Sequence, residues 1–178
     1  MQRAVFLMFL GTLVCLLNSC AQPPIRHDCP PESLIVNETI LPEGSVADFP
    51  ISPLPDGGST SIGIVLGNGE VTVSHYLYPY KIPKGAEKEY ESELNRPDDQ
   101  DMLPYDLSNL QIRADQHALL CSQPEPSPRC KYIARYDNYY ILLFLRTSSL
   151  DTPVDVLIPA IQDIDNRMVK CLEEYPVQ

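Results

Sequence analysis

Apolar and polar residues alternate with period two in several stretches of this chain, and in two others they recur at helical spacing. The clearest alternation runs through Glu70–Tyr78. There Val71, Val73, His75 and Leu77 share one face, and Thr72, Ser74, Tyr76 and Tyr78 share the other. Ser61–Leu66 precedes it, with Gly67-Asn68-Gly69 between. Asn-Gly suits a type I′ turn, whose two central residues both need positive φ, so this stretch predicts a β-hairpin. Cys130–Tyr136 and Asn138–Thr147 predict a second one, turning at Asp137-Asn138. Tyr139–Leu145 is apolar on both faces, as a central strand covered on each side should be. Leu107–Ala114 and Ala118–Cys121 read as shorter strands.

Helical spacing appears in Lys84–Leu94, where Ala86, Tyr90 and Leu94 fall on one face and most of the rest is charged. It appears again in Pro153–Leu172, where Val154, Leu157, Ile158, Ile161, Ile164, Met168 and Cys171 form a stripe. Thr152 can cap that helix and Pro153 suits its first turn, while Pro159 predicts a kink or a later start. Ser33–Leu41 fits neither period cleanly and predicts a short helix or strand. Pro42–Gly58, dense in Pro, Gly and Asp, predicts a loop. The sum is an α+β domain, an antiparallel sheet of about five strands with helices packed on it and stabilised by disulfides. Hairpin followed by helix occurs twice, at Ser61–Leu94 and Cys130–Leu172. That order hints at an internal duplication, though the two stretches share no residue pattern.

One apolar run differs in kind. Ala4–Leu17 carries no charge, follows Arg3, and leads into Asn18-Ser19-Cys20. It is short for a spanning helix, which needs about 20 apolar residues, and its one-sided positive flank is that of an export signal. Leu17-Asn18-Ser19-Cys20 resembles the lipobox of bacterial lipoproteins. The resemblance covers residues 1–20 and implies cleavage before Cys20, acylation of its sulfur and new amino group, and attachment to a membrane. It implies a signal peptide over 1–19 and a lipidated N-terminus at Cys20; the prolines that follow read as a tether, giving a lipidated, Pro-rich segment over 20–32, and the remaining length is that of a single domain over 33–178. Ser19-Cys20-Ala21 is also a small-x-small site, and cleavage before Gln22 would release a secreted protein instead.

Either route uses up Cys15 and Cys20 and leaves Cys29, Cys121, Cys130 and Cys171, an even set suited to an oxidising compartment. Four cysteines allow three pairings. Cys121–Cys130 is favoured, because the intervening Ser122–Arg129 is rich in turn formers. Cys29–Cys171 is then left to tie the start of the domain to its last helix. No Cys-x-x-Cys spacing supports a metal site.

Composition narrows the function classes. The chain has 24 acidic against 13 basic residues and a net charge of −11, one unit more negative once Arg3 is removed. Nucleic acid and anionic lipid headgroups carry the same sign and are disfavoured. The 18 prolines cluster in connections and predict stiff, ordered loops.

Candidate chemistry is sparse. His27 lies in the tether, His75 reads as a hydrogen-bonded, half-buried strand residue, and His117 as a surface residue. The chain holds no His-Glu-x-x-His helix, no Gly-x-Ser-x-Gly elbow, no Ser-x-x-Lys and no phosphate-cradling loop. Asp98, Asp99 and Asp101 read as a solvated acidic loop without the ligand pattern of a calcium loop. Asp163 and Asp165, two apart on a helix, should point to different sides. Asn37-Glu38-Thr39 matches a glycosylation sequon and, beside a lipobox, is read as chance.

No catalytic, metal or cofactor site is expected. Tyr76, Tyr78 and Tyr80 form the candidate binding surface, of a kind that contacts peptides, glycans or proteins. Their alternative is to pack beneath a helix with hydroxyls at its rim. Tyr132, Tyr136, Tyr139 and Tyr140 lie elsewhere in the sheet. The expected function is a non-enzymatic binding or structural role at the bacterial envelope, anchored to the membrane by lipid, with an envelope protein or glycan as partner. The alternative is a secreted or periplasmic hydrolase using carboxylates from separate parts of the chain, whose sign would be two carboxylates of perturbed pKa converging in a cleft.

Overall fold

The computed structural model describes residues 29–41, 43–53, 60–66, 71–122, 129–147 and 154–176. Within them seven strands form one antiparallel sheet: β1 (Val46–Pro53), β2 (Thr60–Leu66), β3 (Val71–Pro79), β4 (Met102–Tyr105), β5 (Gln116–Ser122), β6 (Arg129–Tyr136) and β7 (Tyr139–Thr147). Their order across the sheet is β1-β2-β3-β7-β6-β5-β4. Two meanders thus meet along β3 and β7, the strands that alternation and two-faced apolarity picked out. The helices are α1 (Pro31–Leu34), α2 (Pro83–Leu94) and α3 (Leu157–Glu174), with 3₁₀ turns at Glu38–Ile40, Pro97–Asp99 and Val154–Val156.

The α+β class stands, with seven strands rather than about five. The two unforeseen strands, β1 and β4, are the edges. Each carries proline (Pro50 and Pro53 in one, Pro104 in the other), which a central strand does not tolerate and an edge strand does. The same prolines blunt edge-to-edge pairing with other chains. Leu107–Ala114 is not a strand. Leu107 and Leu110 close a turn, the Arg113 N–H donates to Asp165, and Leu107 is buried in the core. This segment satisfies its backbone through a turn and a side chain instead of a ladder.

The first hairpin pairs Leu66 with Val71, the register that a two-residue link at Asn68-Gly69 requires; the turn itself lies outside the described residues. The second hairpin pairs Tyr136 with Tyr139, and Asp137 adopts a φ of 49° at its turn. Ser33–Leu41 resolves as helical turns. Helix α3 begins at Leu157, so Pro159 falls in its first turn, where no N–H is needed. Thr152 and Pro153, expected at its start, lie outside the described residues.

One face of the sheet carries the main core. Leu34, Ile35 and Val36 and the α3 stripe of Leu157, Ile161, Ile164 and Met168 pack on Val73, Leu77, Tyr132, Ile141 and Leu143. The opposite face carries a smaller cluster of Ala86 and Tyr90 from α2 on Ile133 and Tyr140. A twofold axis normal to the sheet would relate antiparallel β3 and β7 but would keep both following helices on one face. They lie on opposite faces, so the two hairpin–helix stretches are not symmetric repeats.

Both disulfides join the expected partners. Cys121 and Cys130 face each other across β5 and β6, with Cα atoms 4.2 Å apart, and Cys29 reaches Cys171 of α3 with Cα atoms 5.9 Å apart. Cys29 is buried and its N–H donates to the Tyr139 hydroxyl at 2.8 Å, so packed structure is in place before Ser33. The two cystines place the domain in an oxidising, extracytoplasmic setting. No helix among the described residues is long and apolar enough to cross a membrane.

His75 is fully buried rather than half-buried, at 0% exposure. Its Nδ1 accepts from the Val36 N–H at 3.0 Å, so the neutral ring carries its proton on Nε2. Burial lowers its pKa from 6.5 to about 3. The unfolded chain therefore takes up a proton near pH 6.5 that the folded chain refuses, and the contribution of neutral His75 is complete above that pH and fades as pH falls toward 3. His75→Asn keeps an acceptor for Val36 and removes the titration. Between about pH 7 and pH 4.5 the wild type should lose about 2–3 kcal/mol more stability than this variant, measured by urea unfolding at each pH. Parallel pH curves would contradict it.

Candidate functional site

Helix α2 covers only part of its face of the sheet. It lies across β6 and β7, held down by Ala86 and Tyr90. Gly85 allows that approach: a Cβ there would come within 2.6 Å of the Tyr80 ring. Past Leu94 the chain turns away through Arg96 and the Pro97–Asp99 turn. A cleft of about 380 Å³ is left between that turn and the sheet.

The floor of the cleft comes from three adjacent inner strands. Tyr76 of β3 pairs with Leu142 of β7, and Phe144 of β7 with Lys131 of β6. All project from the α2 face, as the two-residue period dictates. Glu93, Arg96, Asp98, Asp99 and Arg129 form the walls.

Lys131 is 1% exposed in a strand buried on both faces, and its ammonium is fully used. Nζ donates to the Glu93 carbonyl at 2.7 Å, to Glu93 Oε1 at 3.2 Å and to Asp99 Oδ2 at 2.6 Å. Three N–H donors thus meet three acceptors, which is the condition for burying a lysine. Arg129 donates to Asp101 Oδ1 at 2.8 Å and to the Asp98 carbonyl at 3.1 Å. Arg96 Nη1 lies 3.2 Å from each oxygen of Glu93. Every cation of the cleft therefore holds a carboxylate.

The three candidate tyrosines divide. All are half-buried. Tyr80 packs against Gly85, with its backbone tied to Asn138 in both directions. Tyr78 leans on Tyr140, their ring centres 5.8 Å apart, and lines the cleft along one side. Tyr76 stacks on Tyr78 with ring centres 6.4 Å apart and planes 17° from parallel, and it belongs to the cleft floor. Packing under a helix thus accounts for Tyr80 and much of Tyr78, and Tyr76 remains as cleft surface. Tyr132, Tyr136 and Tyr139 are buried in the opposite face, and Tyr140 lies under α2. Burial raises the Tyr140 phenol far above its ordinary range, and Glu93 and Glu89 raise it further, so it stays neutral.

The acidic residues are more engaged than a solvated loop implies, since Asp99 and Asp101 bind Lys131 and Arg129. Asp163 and Asp165 point apart as expected. Asp163 pairs with Arg167 at 2.6 Å, whereas Asp165 is buried and accepts from the Tyr136 hydroxyl at 2.9 Å and the Arg113 N–H at 2.7 Å. His117 is exposed, and His27 and Cys20 lie outside the described residues. No group of three or more His, Cys, Asp or Glu among the described residues is placed to hold a metal ion. A second groove of about 660 Å³ lies between the 109–113 segment and α3. It is lined mostly by side-chain amides and charged groups and has no aromatic floor.

The ion cluster went unread in the sequence. One signal was available: Lys131 stands between Cys130 and Tyr132 in a 130–134 run that is otherwise apolar, and a lysine there needs buried partners. Neither a protein-family model nor a curated protein matches this chain.

Proposed function

We propose that this chain is an extracytoplasmic lipoprotein, anchored through Cys20, whose role is to bind a partner at the cleft beneath the end of α2. The export leader and its lipobox support the anchor, and the two cystines support the compartment. Acylation supplies about 0.8 kcal/mol per buried CH₂, and stable attachment takes more than one chain. The residues past Cys20 then act as a short Pro-rich spacer.

The observation that carries the binding role is that Lys131, Arg129 and Arg96 each hold a carboxylate over an aromatic and aliphatic floor. The rival reading is hydrolysis by dispersed carboxylates. It draws on Glu93 and Asp99, which converge from α2 and the following turn. Lys131 sits between them and bonds to both, an arrangement that serves to hold a surface in shape more than to pass protons.

Cys20→Ser should move the protein from the membrane pellet to the soluble fraction. Unchanged partitioning would contradict the anchor. Turnover of a bound ligand, lost in Glu93→Gln or Asp99→Asn with the fold intact, would favour the hydrolase.

A further inference from the structure

We infer that the cleft takes an uncharged, polyhydroxylated ligand, a segment of a neutral glycan; this rests on the cleft being the binding site. The charge arrangement is the first ground. Lys131, Arg129 and Arg96 are each held by carboxylates of Glu93, Asp99 and Asp101. An anionic ligand that drew on Lys131 would have to break its pairs with Glu93 and Asp99. It would strand a partner in a site where Lys131 is 1% and the Glu93 and Asp99 side chains are 12% and 11% exposed. Uncompensated charge in such surroundings is costly.

A hydroxyl avoids that penalty because it both donates and accepts. It can add to a carboxylate lone pair and to a spare guanidinium N–H at once. The cleft retains such capacity. Arg96 uses only Nη1 on Glu93, and its side chain is 53% exposed. Each carboxylate oxygen accepts more than one donor.

The floor is the second ground. Tyr76, Leu142 and Phe144 offer an apolar surface next to these polar groups, matching a sugar ring, whose C–H face is apolar and whose edge carries hydroxyls. The volume lies within the range of small-ligand sites, roughly 300–1,000 Å³. A peptide meets a poorer match. Peptides commonly dock by adding a strand to a free sheet edge, and the floor strands β3, β7 and β6 are each paired on both sides.

The test is titration of the isotope-labelled soluble domain with neutral oligosaccharides (β-glucan, α-glucan, mannan and N-acetylglucosamine hexamers), beside oligogalacturonate and an acidic and a basic peptide. At least one neutral sugar should shift the resonances of Tyr76 and Phe144. Tyr76→Ala should weaken it by about tenfold or more. Arg96→Ala, at an exposed rim position that leaves folding intact, should weaken it by about threefold or more. Raising salt from about 50 to 500 mM should change the affinity by less than about twofold.

The assignment is overturned if no neutral sugar shifts the cleft, if both variants bind as the wild type does, or if affinity falls steeply with salt. A charged or peptidic ligand seated at Tyr76 also overturns it, while leaving the cleft a binding site. Cleavage of a bound sugar during the titration would instead overturn the non-enzymatic reading.

Discussion

Replacing Cys29 and Cys171 together by alanine should lower the unfolding free energy by about 5 kcal/mol, and the melting temperature by roughly 10–20 °C. The bridge spans 142 residues, nearly the whole folded domain, and so removes a large share of the unfolded chain's freedom. It also fixes the Cys29 N–H on the Tyr139 hydroxyl and holds the α1 segment against α3. The Cys121–Cys130 bridge closes a span of only 9, between residues already opposed in the β5–β6 ladder, and should be worth about 2–3 kcal/mol. Urea unfolding of the two double variants under non-reducing conditions measures both. A larger loss from the short bridge than from the long one would contradict the assignment.

Lys131→Met should cost about 3–5 kcal/mol, although the substitution adds apolar surface. The methionine fits the stem of the lysine but removes the ammonium between two largely buried carboxylates, leaving Glu93 only the exposed Arg96 and Asp99 only Arg129 at 3.8 Å. Adding Glu93→Gln and Asp99→Asn to Lys131→Met should recover most of that loss, because a buried set of ions and its neutral replacement are nearly equal in energy once desolvation is counted. Thermal unfolding of the single and triple variants measures it. A Lys131→Met protein within about 1 kcal/mol of the wild type would show that the ammonium is not the centre of the cleft.

The centre of the sheet was legible and its margins were not, for a physical reason. An inner strand is squeezed on two faces and two edges, so β3 and β7 carry strict patterns: Val73, His75 and Leu77 on one face, and Tyr139–Leu145 apolar throughout. An edge strand answers to one neighbour, and β1 and β4 admit proline that a local reading takes as loop. Leu107–Ala114 erred the other way, since Leu107 is buried and Leu110 half-buried at a turn and not in a ladder.

The cystines were legible from parity and from the turn-rich Ser122–Arg129. The cleft was legible only in Tyr76 and Tyr78. Period two tells which face a residue joins, but not that α2 stops short of Tyr76. Nor does it tell that residues 93, 96, 99, 129 and 131 gather at its end. Their convergence is set by where a helix ends over a sheet, a tertiary fact with no local pattern.

Mass spectrometry of the protein extracted from its native membranes, digested without reduction, bears most directly on the proposed anchored domain. The predicted result is an N-terminal peptide that begins at an acylated Cys20, together with Cys29–Cys171 and Cys121–Cys130 linked fragments. A protein beginning at Gln22, or retaining Met1–Ser19 with its cysteines reduced, would contradict it.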